Sequence, residues 1–528
     1  MHRLTLENDG QNFANRLLGW RALREKLMIS ILGHWIGLFG SIIVISAIFN
    51  LFIPRYDILI FAALSSFALY PKLREKVLFV ATFLMLPEHL SLKPRTLILE
   101  AAPFLKESYW VSHISLAALG LMAVLCFTFT ATRIKKLKKQ NAFRRNGFFS
   151  ILFLLVIVLA VIDQTNKRGT LYAVVSAIYC FIAIYLWYFA YDFQIDHERH
   201  SETGRWEFFK KFAYYRPFWC FYFIAPIPRG ESTIKAVEAT NSDALRVSQS
   251  KGVILVIWAG VLLIVSKWVG AFLFAEPFFG VRLAQGATLP NVTRALEAIS
   301  HHQRFSILGT WQIIFGEFFQ HLAFIAAWGH LIVGVARFSG YQSLRNTYRP
   351  LSSTTFVEFF NRYNYFYKEL LVQIFYYPAF FGWAKRFFPR SLRARVGFSV
   401  FFSTGFANFV IHIFLHIEDY LRAPFLSALH KNAQYALYCF CLSVAVTLSQ
   451  LNQLRAHPFK IQLFRTRIYS ESGPAATAES RWQIAFNRLI SIAIVLTFFA
   501  TLRIFDDGFN GNIRNNLNFV LGTVGVHL

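Results

Sequence analysis

The chain has 528 residues, of which 55% are hydrophobic and 18% aromatic, while only 16% are charged, against about 25% in an average soluble domain. This composition excludes an intrinsically disordered chain, and five cysteines in such a long chain exclude a disulfide-rich secreted scaffold. The formal net charge of +26 is compatible with nucleic-acid binding, but basic residues also accumulate in the cytoplasmic loops of membrane proteins. Because no basic tail or nucleic-acid-binding motif occurs, we expect a membrane protein without a nucleic-acid partner.

Apolar runs long enough to cross a bilayer recur along the chain. A spanning helix needs about 20 largely apolar residues. The clear candidates are 27–53, 108–131, 147–163, 170–191, 252–275, 311–337, 397–417, 427–450 and 483–503. Two weaker runs, 57–70 and 76–92, bring the total to about eleven. The sequence therefore predicts an all-α, polytopic integral membrane protein that forms a single membrane-embedded domain over residues 1–528.

Basic residues between these runs predict the orientation. Loop 132–146 holds seven lysines and arginines, and loop 451–482 is basic up to Glu471, so both should be cytoplasmic. Placing both inside also puts the N-terminus and 338–396 inside, provided that the short aromatic segment 367–384 does not cross the bilayer. We therefore predict that this segment is re-entrant or interfacial, as is tolerated where protein or a water-filled cavity surrounds it.

One predicted span carries a polar stripe. In 397–417, Thr404, Asn408, His412 and His416 recur at every fourth residue and share one helix face, while the other faces are apolar. Such a stripe predicts a bundle interior or a polar tunnel, and the alternative is interhelical hydrogen bonding that only holds the bundle together. A metal site is not expected, because the glutamate of the H-E-x-x-H zinc motif is missing.

A second pair of ionisable residues lies in the predicted span 311–337. Glu317 and His321 are also four residues apart, and ionisable residues inside a span are candidates for function. They are interpreted either as a proton relay or polar cavity wall, or as an internal hydrogen-bonded pair, and the second alternative is favoured.

An aromatic motif precedes the interfacial segment. Residues 355–364 read Thr-Phe-Val-Glu-Phe-Phe-Asn-Arg-Tyr-Asn; Pro378 follows fourteen residues after Asn364, and His412 follows forty-eight residues after it. This segment, 349–417, resembles the membrane-bound O-acyltransferase family. Bacterial members carry a run of the type S-F-x-x-F-W-R-R-W-H, a proline fourteen residues beyond it and a histidine in a later apolar span.

The match has departures. Phe360 and Tyr363 stand where the bacterial motif has tryptophans, and Asn361 replaces the first arginine of its pair. Asn364 replaces the usual histidine, although an asparagine paired with a later histidine is the arrangement of many eukaryotic members. The Arg-Asp pair that precedes the tyrosine-rich element in the family is also absent, since Val372-Gln373 occupies that place.

The resemblance implies a helical core that encloses a tunnel and catalyses acyl transfer to a hydroxyl group. It implies that His412 is the catalytic base and that Asn364 orients a substrate or donates a hydrogen bond to the developing oxyanion. Further candidates for substrate binding or for support of the site, taken from helical spacing and from the motif, are Asn408, His416, Glu317, His321, Arg362 and Tyr363.

The resemblance also implies the partners. A thioester donor, acyl-CoA or an acyl carrier protein, would enter from the cytoplasmic side as co-substrate, and no resident cofactor is expected. The acceptor would carry a hydroxyl, as in a cell-envelope polysaccharide or a lipid, and an envelope or carrier protein is an expected partner besides membrane lipid. The expected location is a bacterial inner membrane. The alternatives are a glycosyltransferase or ligase that uses polyprenyl-linked sugars, and a non-enzymatic transporter, although neither the internal repeats nor the paired broken helices typical of transporters are apparent.

Overall fold

The computed structural model describes residues 23, 26–86, 111–123, 217–220, 234–282, 289–415, 425–455, 481–506 and 513–526. Within these ranges the regular structure is helical, and extended pairing is limited to two isolated bridges. The prediction of an all-α protein is therefore confirmed for the described part of the chain.

The helices are numbered in chain order. The first are α1 (Trp35–Phe52), α2 (Asp57–Leu69), α3 (Arg74–Met85), α4 (Val111–Ala123), α5 (Ser242–Phe274), α6 (Val292–Ser300) and α7 (Ile307–Phe338). They are followed by α8 (Phe356–Tyr363), α9 (Tyr365–Leu371), α10 (Tyr377–Phe381), α11 (Trp383–Phe387), α12 (Leu392–Phe401), α13 (Asn408–Leu415), α14 (Phe425–Lys431), α15 (Ala433–Gln453), α16 (Arg481–Leu502) and α17 (Ile513–Leu521). Two π-helical turns, Val372–Tyr376 and Phe402–Ala407, and a 3₁₀ turn, Arg503–Phe505, continue helices within this series.

Several helices meet the requirements of a membrane span. Six in the described ranges are long and apolar enough to cross a bilayer, namely Trp35–Phe52, Ser242–Phe274, Ile307–Phe338, Leu392–Ile413, Ala433–Gln453 and Ala485–Phe505. All six coincide with predicted runs, and α2 and α4 are shorter apolar helices at two further ones. The predicted spans 147–163 and 170–191 and the basic loop 132–146 lie outside the described residues, so the total of eleven stays a prediction.

The surfaces of these helices carry large apolar side chains. Trp35 and Ile43 on α1 are 72% and 58% exposed, and Phe272 on α5 is 65% exposed. Soluble monomers rarely expose so many large apolar side chains, and a lipid environment would cover them. This surface and the six helices together indicate a membrane protein.

The segment 367–384 forms a succession of short helices. The helix α9 passes through the π turn Val372–Tyr376 into α10, which has Pro378 in its first turn, and the chain breaks at Gly382 before α11. No helix long enough to span a bilayer occurs in this part of the described chain. That the segment does not cross, and that it is re-entrant or interfacial, both stay predictions.

The chain divides into two compact units. The first consists of Met1–His89, Glu202–Leu262 and Ala327–Arg345. Within it, α5 and α7 approach closely, because a Cβ atom at Gly252 would lie 2.7 Å from the carbonyl oxygen of Gly334. Small residues permit this approach between membrane helices.

The second unit contains the motif residues. It consists of Leu90–Ser201, Leu263–Ala326 and Asn346–Leu528. Its core is aromatic: the ring of Phe359 on α8 stacks on Phe499 of α16, with centroids 4.0 Å apart. The π turn Phe402–Ala407 packs on α15, where a Cβ atom at Gly405 would lie 2.9 Å from the hydroxyl of Ser443.

Candidate functional site

The motif opens with a capped helix. The hydroxyl of Thr355 accepts a hydrogen bond from the backbone N–H of Glu358 at 3.2 Å, and α8 begins at Phe356, directly after Thr355. The Glu358 carboxylate in turn accepts hydrogen bonds from the N–H and the hydroxyl of Thr354, at 2.7 and 3.0 Å. This arrangement is a variant of the capping box, in which side chains satisfy the free amide groups of the first turn. A Ser or Thr at this motif position therefore has a local physical role.

The last residue of the motif forms a sharp junction. Asn364 has φ −141° and ψ 83°, ends α8 and caps the start of α9. Its side-chain Oδ1 accepts a hydrogen bond from the backbone N–H of Tyr367 at 3.2 Å. Asparagine suits such a position because its short amide replaces the missing intrahelical partner. Because the N–H of Tyr367 binds the amide oxygen, the Nδ2 group is the part of this side chain that can donate to a ligand.

The segment of Asn346 and Thr347 fixes this junction through hydrogen bonds. Asn346 accepts hydrogen bonds from two backbone N–H groups, with its carbonyl from Tyr365 at 2.9 Å and with Oδ1 from Phe366 at 3.1 Å. The Thr347 hydroxyl donates to the carbonyl of Tyr363 at 2.9 Å. These bonds fix the backbone on both sides of Asn364 and thereby restrict the position of its side chain.

Tyr367 joins the motif to the polar stripe. Its backbone N–H binds Asn364, and its hydroxyl donates a hydrogen bond to Oδ1 of Asn408. Asn408 is 1% exposed and begins α13, one turn before His412. The structure therefore connects Asn364 to the helix of His412 through a single tyrosine.

Two π-helical turns lie beside this connection. One follows the helix of Tyr367 and the other precedes Asn408, and the two turns, Val372–Tyr376 and Phe402–Ala407, pack against each other. π-helical turns are rare and occur frequently at functional sites. Because the hydrogen bonds of the second turn run from i to i+5, the spacing of Thr404 from Asn408 departs from that of a regular α-helix.

His412 lies in the interior of the second unit. It is 4% exposed, its Nε2 atom is buried, and its ring stacks on Tyr435 of α15 with centroids 3.4 Å apart. Tyr435 stacks in turn on Tyr438, at 5.1 Å. Thr404, Asn408 and His412 are all buried, as expected of a stripe that faces a bundle interior. His416 lies outside the described residues.

The other two motif candidates have structural contacts. Arg362 forms an ion pair with Glu358 at 2.6 Å and donates to the hydroxyl of Ser352 at 2.8 Å, which holds the preceding turn on α8. Tyr363 stacks on Phe359 at 5.5 Å and packs against the aromatic core. Both residues shape the helix that presents Asn364.

Glu317 and His321 meet at an arginine that the sequence analysis did not include. Arg503 lies 3.8 Å from the Glu317 carboxylate, contacts His321 Nδ1 at 3.0 Å and pairs with Asp506. The charged atoms of Glu317, Arg503 and Asp506 belong to side chains that are at most 20% exposed. The cluster is thus a mostly buried ionic network that joins α7 to the end of α16.

A polar cavity of about 300 Å³ opens beside this network. Glu317 and His321 line it together with Lys267, Glu276 and Gln320. Gln320 donates from Nε2 to the Glu276 carboxylate at 2.7 Å and so closes one wall. The pair from the predicted span therefore forms a cavity wall as well as an internal network.

A buried asparagine links the network to the helix of Tyr435. The side-chain nitrogen of Asn516 donates to Oε1 of Gln434 at 2.9 Å and to the carbonyl of Ile504 at 3.1 Å. Gln434 precedes Tyr435, and Ile504 follows Arg503. The buried Asn516 thus ties the ionic network to the start of α15, which contacts His412.

Sequence reasoning missed Tyr367, Tyr435 and Arg503. Tyr367 follows Asn364 by three residues, the spacing of an N-cap bond, so a capping analysis would have drawn attention to it. Arg503 is the last residue of a predicted span, and an ionisable residue inside a span is a candidate for function. Tyr435 gives no such signal, because an aromatic residue in an apolar run is ordinary.

Two further observations bear on function. Among the described residues, no group of three or more His, Cys, Asp or Glu side chains is arranged to hold a metal ion. Comparison with protein-family models and with curated proteins finds no match to this chain. The function is therefore argued from the geometry and from the motif.

Proposed function

We propose that this protein is a membrane-bound O-acyltransferase, which moves an acyl group from a thioester donor to a hydroxyl of an acceptor. The observation that carries the proposal is the connection through Tyr367, which joins Asn364 to Asn408, one turn before His412. The two residues that the motif resemblance pairs are forty-eight residues apart in the chain. The part-buried hydrogen bond between Tyr367 and Asn408, which lie next to them on the two helices, supports one site.

His412 is the proposed general base. A neutral imidazole can accept the proton of a hydroxyl group as the hydroxyl oxygen attacks. Stacking on Tyr435 restricts the rotation of the ring and keeps it oriented. Holding the base in a fixed orientation lowers the entropic cost of proton transfer.

Asn364 is the proposed oxyanion donor. Its Oδ1 accepts from the backbone N–H of Tyr367, which leaves its Nδ2 group to donate a hydrogen bond to a ligand. A positioned donor stabilises the negative charge that develops on the carbonyl oxygen during acyl transfer. The hydrogen bonds from Asn346 and Thr347 to the backbone on both sides of Asn364 hold this donor in a fixed position.

The reaction follows from these roles. His412 takes the proton of the acceptor hydroxyl as its oxygen bonds to the acyl carbon. The tetrahedral oxyanion accepts a hydrogen bond from Asn364, then collapses and breaks the carbon–sulfur bond. The leaving thiolate receives the proton from the imidazolium, which regenerates neutral His412. No redox partner or metal is required by this balance.

Charge and topology support a cytoplasmic entry for the donor. Arg386 on α11, Arg390 after it and Arg393 on α12 are exposed, and Arg395 on α12 is half-buried. Such a basic rim would attract the phosphates of acyl-CoA or an acidic acyl carrier protein. We place the N-terminus in the cytoplasm, the eleven spans in a bacterial inner membrane, and the acceptor hydroxyl on an envelope polysaccharide or a lipid.

The test is acyl transfer by the purified protein in detergent. Radiolabelled acetyl-CoA and a long-chain acyl-CoA would be supplied separately, with acceptor-containing membrane extract, to the wild type and to His412→Gln and Asn364→Ala variants. We expect label in an ester product, and we expect the His412→Gln variant to lose at least a hundredfold in rate, since general base catalysis contributes roughly 10²–10⁴-fold.

The matched control is His330→Gln, which makes the same change on α7 in the first unit. This variant should keep the wild-type rate. Transfer by His412→Gln at the wild-type rate would overturn the mechanism. Acceptor flux across proteoliposomes without ester formation would instead identify a transporter.

A further inference from the structure

The first unit contains a cavity whose lining includes none of the proposed catalytic residues. Its volume is about 440 Å³. One part of its wall is apolar and includes Leu32, Trp35 and Leu38 from the start of α1 and the preceding residues. The other part is polar and lies around the N-terminus of α5. The cavity is therefore amphipathic, with apolar and polar walls on different elements.

The polar wall favours an anion. Arg246, an exposed arginine on α5, and Arg74, a buried one on α3, both line the cavity. Asn241 caps α5 through a 2.8 Å hydrogen bond from the N–H of Ala244, so the positive end of a 33-residue helix lies at this wall. Glu238 pairs with Arg74 at 2.7 Å, which leaves Arg246 as the main source of positive charge.

Arg74 provides an independent indication of a ligand. Its side chain is 5% exposed, and its Nε atom is buried without a hydrogen-bond partner among the described residues. The Arg74 charge itself is paired with Glu238, but a buried N–H without an acceptor is still costly, and such groups are usually satisfied. A phosphate oxygen in the cavity would accept this bond once the Arg74 side chain turns toward it.

The position of the cavity along the helices matches the headgroup layer of a bilayer. A helix of 33 residues is about 50 Å long, well beyond the hydrocarbon thickness of about 30 Å. The apolar part of α5 begins after its polar first turns, which therefore stand at headgroup depth. Trp35 is the first residue of the span α1, and tryptophan is enriched at this interface.

We propose that this cavity binds a phospholipid through its phosphate group. The phosphate would lie between Arg246, Arg74 and the N-terminus of α5, and an acyl chain would lie along Trp35 and Leu38 toward the exposed apolar surface of α1. A free phosphate shares the headgroup chemistry but would leave the apolar wall without a partner. This proposal does not depend on acyl transfer.

The experiment is native mass spectrometry of the delipidated full-length protein. Dipalmitoyl phosphatidylglycerol, dipalmitoylglycerol and inorganic phosphate are titrated separately. The wild type should retain phosphatidylglycerol, while dipalmitoylglycerol, which has the same chains without phosphate, and inorganic phosphate should bind at least tenfold more weakly. Arg246→Gln should weaken phosphatidylglycerol binding roughly fivefold, the effect of one basic residue at a lipid surface.

Two variants keep the test decisive. Lys251→Gln removes the same charge from an exposed position further along α5 and should bind phosphatidylglycerol like the wild type. Trp35→Ala, at a side chain that is 72% exposed, should weaken phosphatidylglycerol binding without impairing folding. Equal binding by Arg246→Gln and Lys251→Gln, or equal affinity for phosphatidylglycerol and dipalmitoylglycerol, would overturn the phosphate site. Equal affinity for inorganic phosphate and phosphatidylglycerol would overturn its assignment to a lipid.

Discussion

The hydroxyl of Tyr367 donates a hydrogen bond to the buried side-chain oxygen of Asn408. Tyr367 belongs to the short helix that Asn364 caps, and Asn408 begins the helix that carries His412. The bond thus joins two parts of the chain that the sequence presents as an interfacial motif and a polar stripe. In the proposed mechanism it sets the position of the oxyanion donor relative to the base.

The first prediction concerns this bond. Tyr367→Phe removes the hydroxyl and leaves the ring, so α9 and the cap at Asn364 should persist. We expect kcat for acyl transfer to fall about fivefold with little change in KM, since a neutral hydrogen bond contributes about 1 kcal/mol. Steady-state kinetics with the active thioester would measure both constants.

The neighbouring Tyr365→Phe variant is the matched control for Tyr367→Phe. The ring of Tyr365 lies under the Lys368 ammonium group at 4.5 Å, a contact that phenylalanine can also make. The Tyr365→Phe variant should keep the wild-type kcat. An equal loss in the two variants would mean that the region tolerates no tyrosine change, and the specific role of Tyr367 would be abandoned.

The second prediction separates the two roles of Asn364. Asn364→Asp keeps an oxygen to cap α9 but replaces the Nδ2 donor with a second acceptor. We expect this variant to fold with the thermal midpoint of the wild type while losing about 10²–10³-fold in kcat, the effect of removing one oxyanion donor. Asn364→Ala should lose both properties, with a cost of about 1 kcal/mol in folding stability.

Ser391→Ala provides the comparison for the capping effect. Ser391 caps α12 by accepting a hydrogen bond from the N–H of Ala394 at 3.2 Å, and it is exposed. This variant should lose stability without loss of kcat. Wild-type turnover by Asn364→Asp would show that Asn364 acts only as a cap.

The sequence predicted more of the helices than of the site. Length and apolar composition sufficed for the six candidate spans, since hydropathy is a local property of the chain. The stripe of Thr404, Asn408 and His412 could also be read as inward-facing, and the three residues are buried. Helical spacing could not foresee the π turn Phe402–Ala407, because that turn depends on packing against α15.

The partners of the site residues depend on tertiary structure. Glu317 and His321 were recognised as a pair, but Arg503 and Asp506, which lie more than 180 residues away in the chain, complete their network. Tyr435 contacts His412 because α15 packs against α13, and the spacing of residues in the sequence does not predict which helices pack together. The division into two compact units could not be foreseen either, because hydropathy contains no information on which spans pack together.

The third prediction concerns the ionic network. Arg503 contacts Glu317, His321 and Asp506. Arg503→Met removes this shared partner and leaves two acidic side chains in a mostly buried place. Breaking such a network costs about 3–5 kcal/mol. We expect a marked fall in the thermal midpoint by fluorescence-detected size-exclusion chromatography. Arg514→Met, which changes an exposed arginine on α17, should leave the midpoint unchanged, and equal midpoints in the two variants would contradict a stabilising role of the network.

The last prediction concerns the close approach of α5 and α7 in the first unit. At Gly252 a Cβ atom would lie 2.7 Å from both the carbonyl oxygen of Gly334 and the amide nitrogen of Phe338, and these backbone atoms cannot rotate away. Gly252→Ala should therefore destabilise the protein by about 1–3 kcal/mol, the usual cost of overpacking. At Gly40 on α1 no heavy atom lies within 4 Å of the corresponding position, so Gly40→Ala should be neutral or slightly stabilising. Thermal midpoints of the two variants measured side by side decide the matter, because an unchanged midpoint in Gly252→Ala would mean that the two helices do not approach so closely in the membrane.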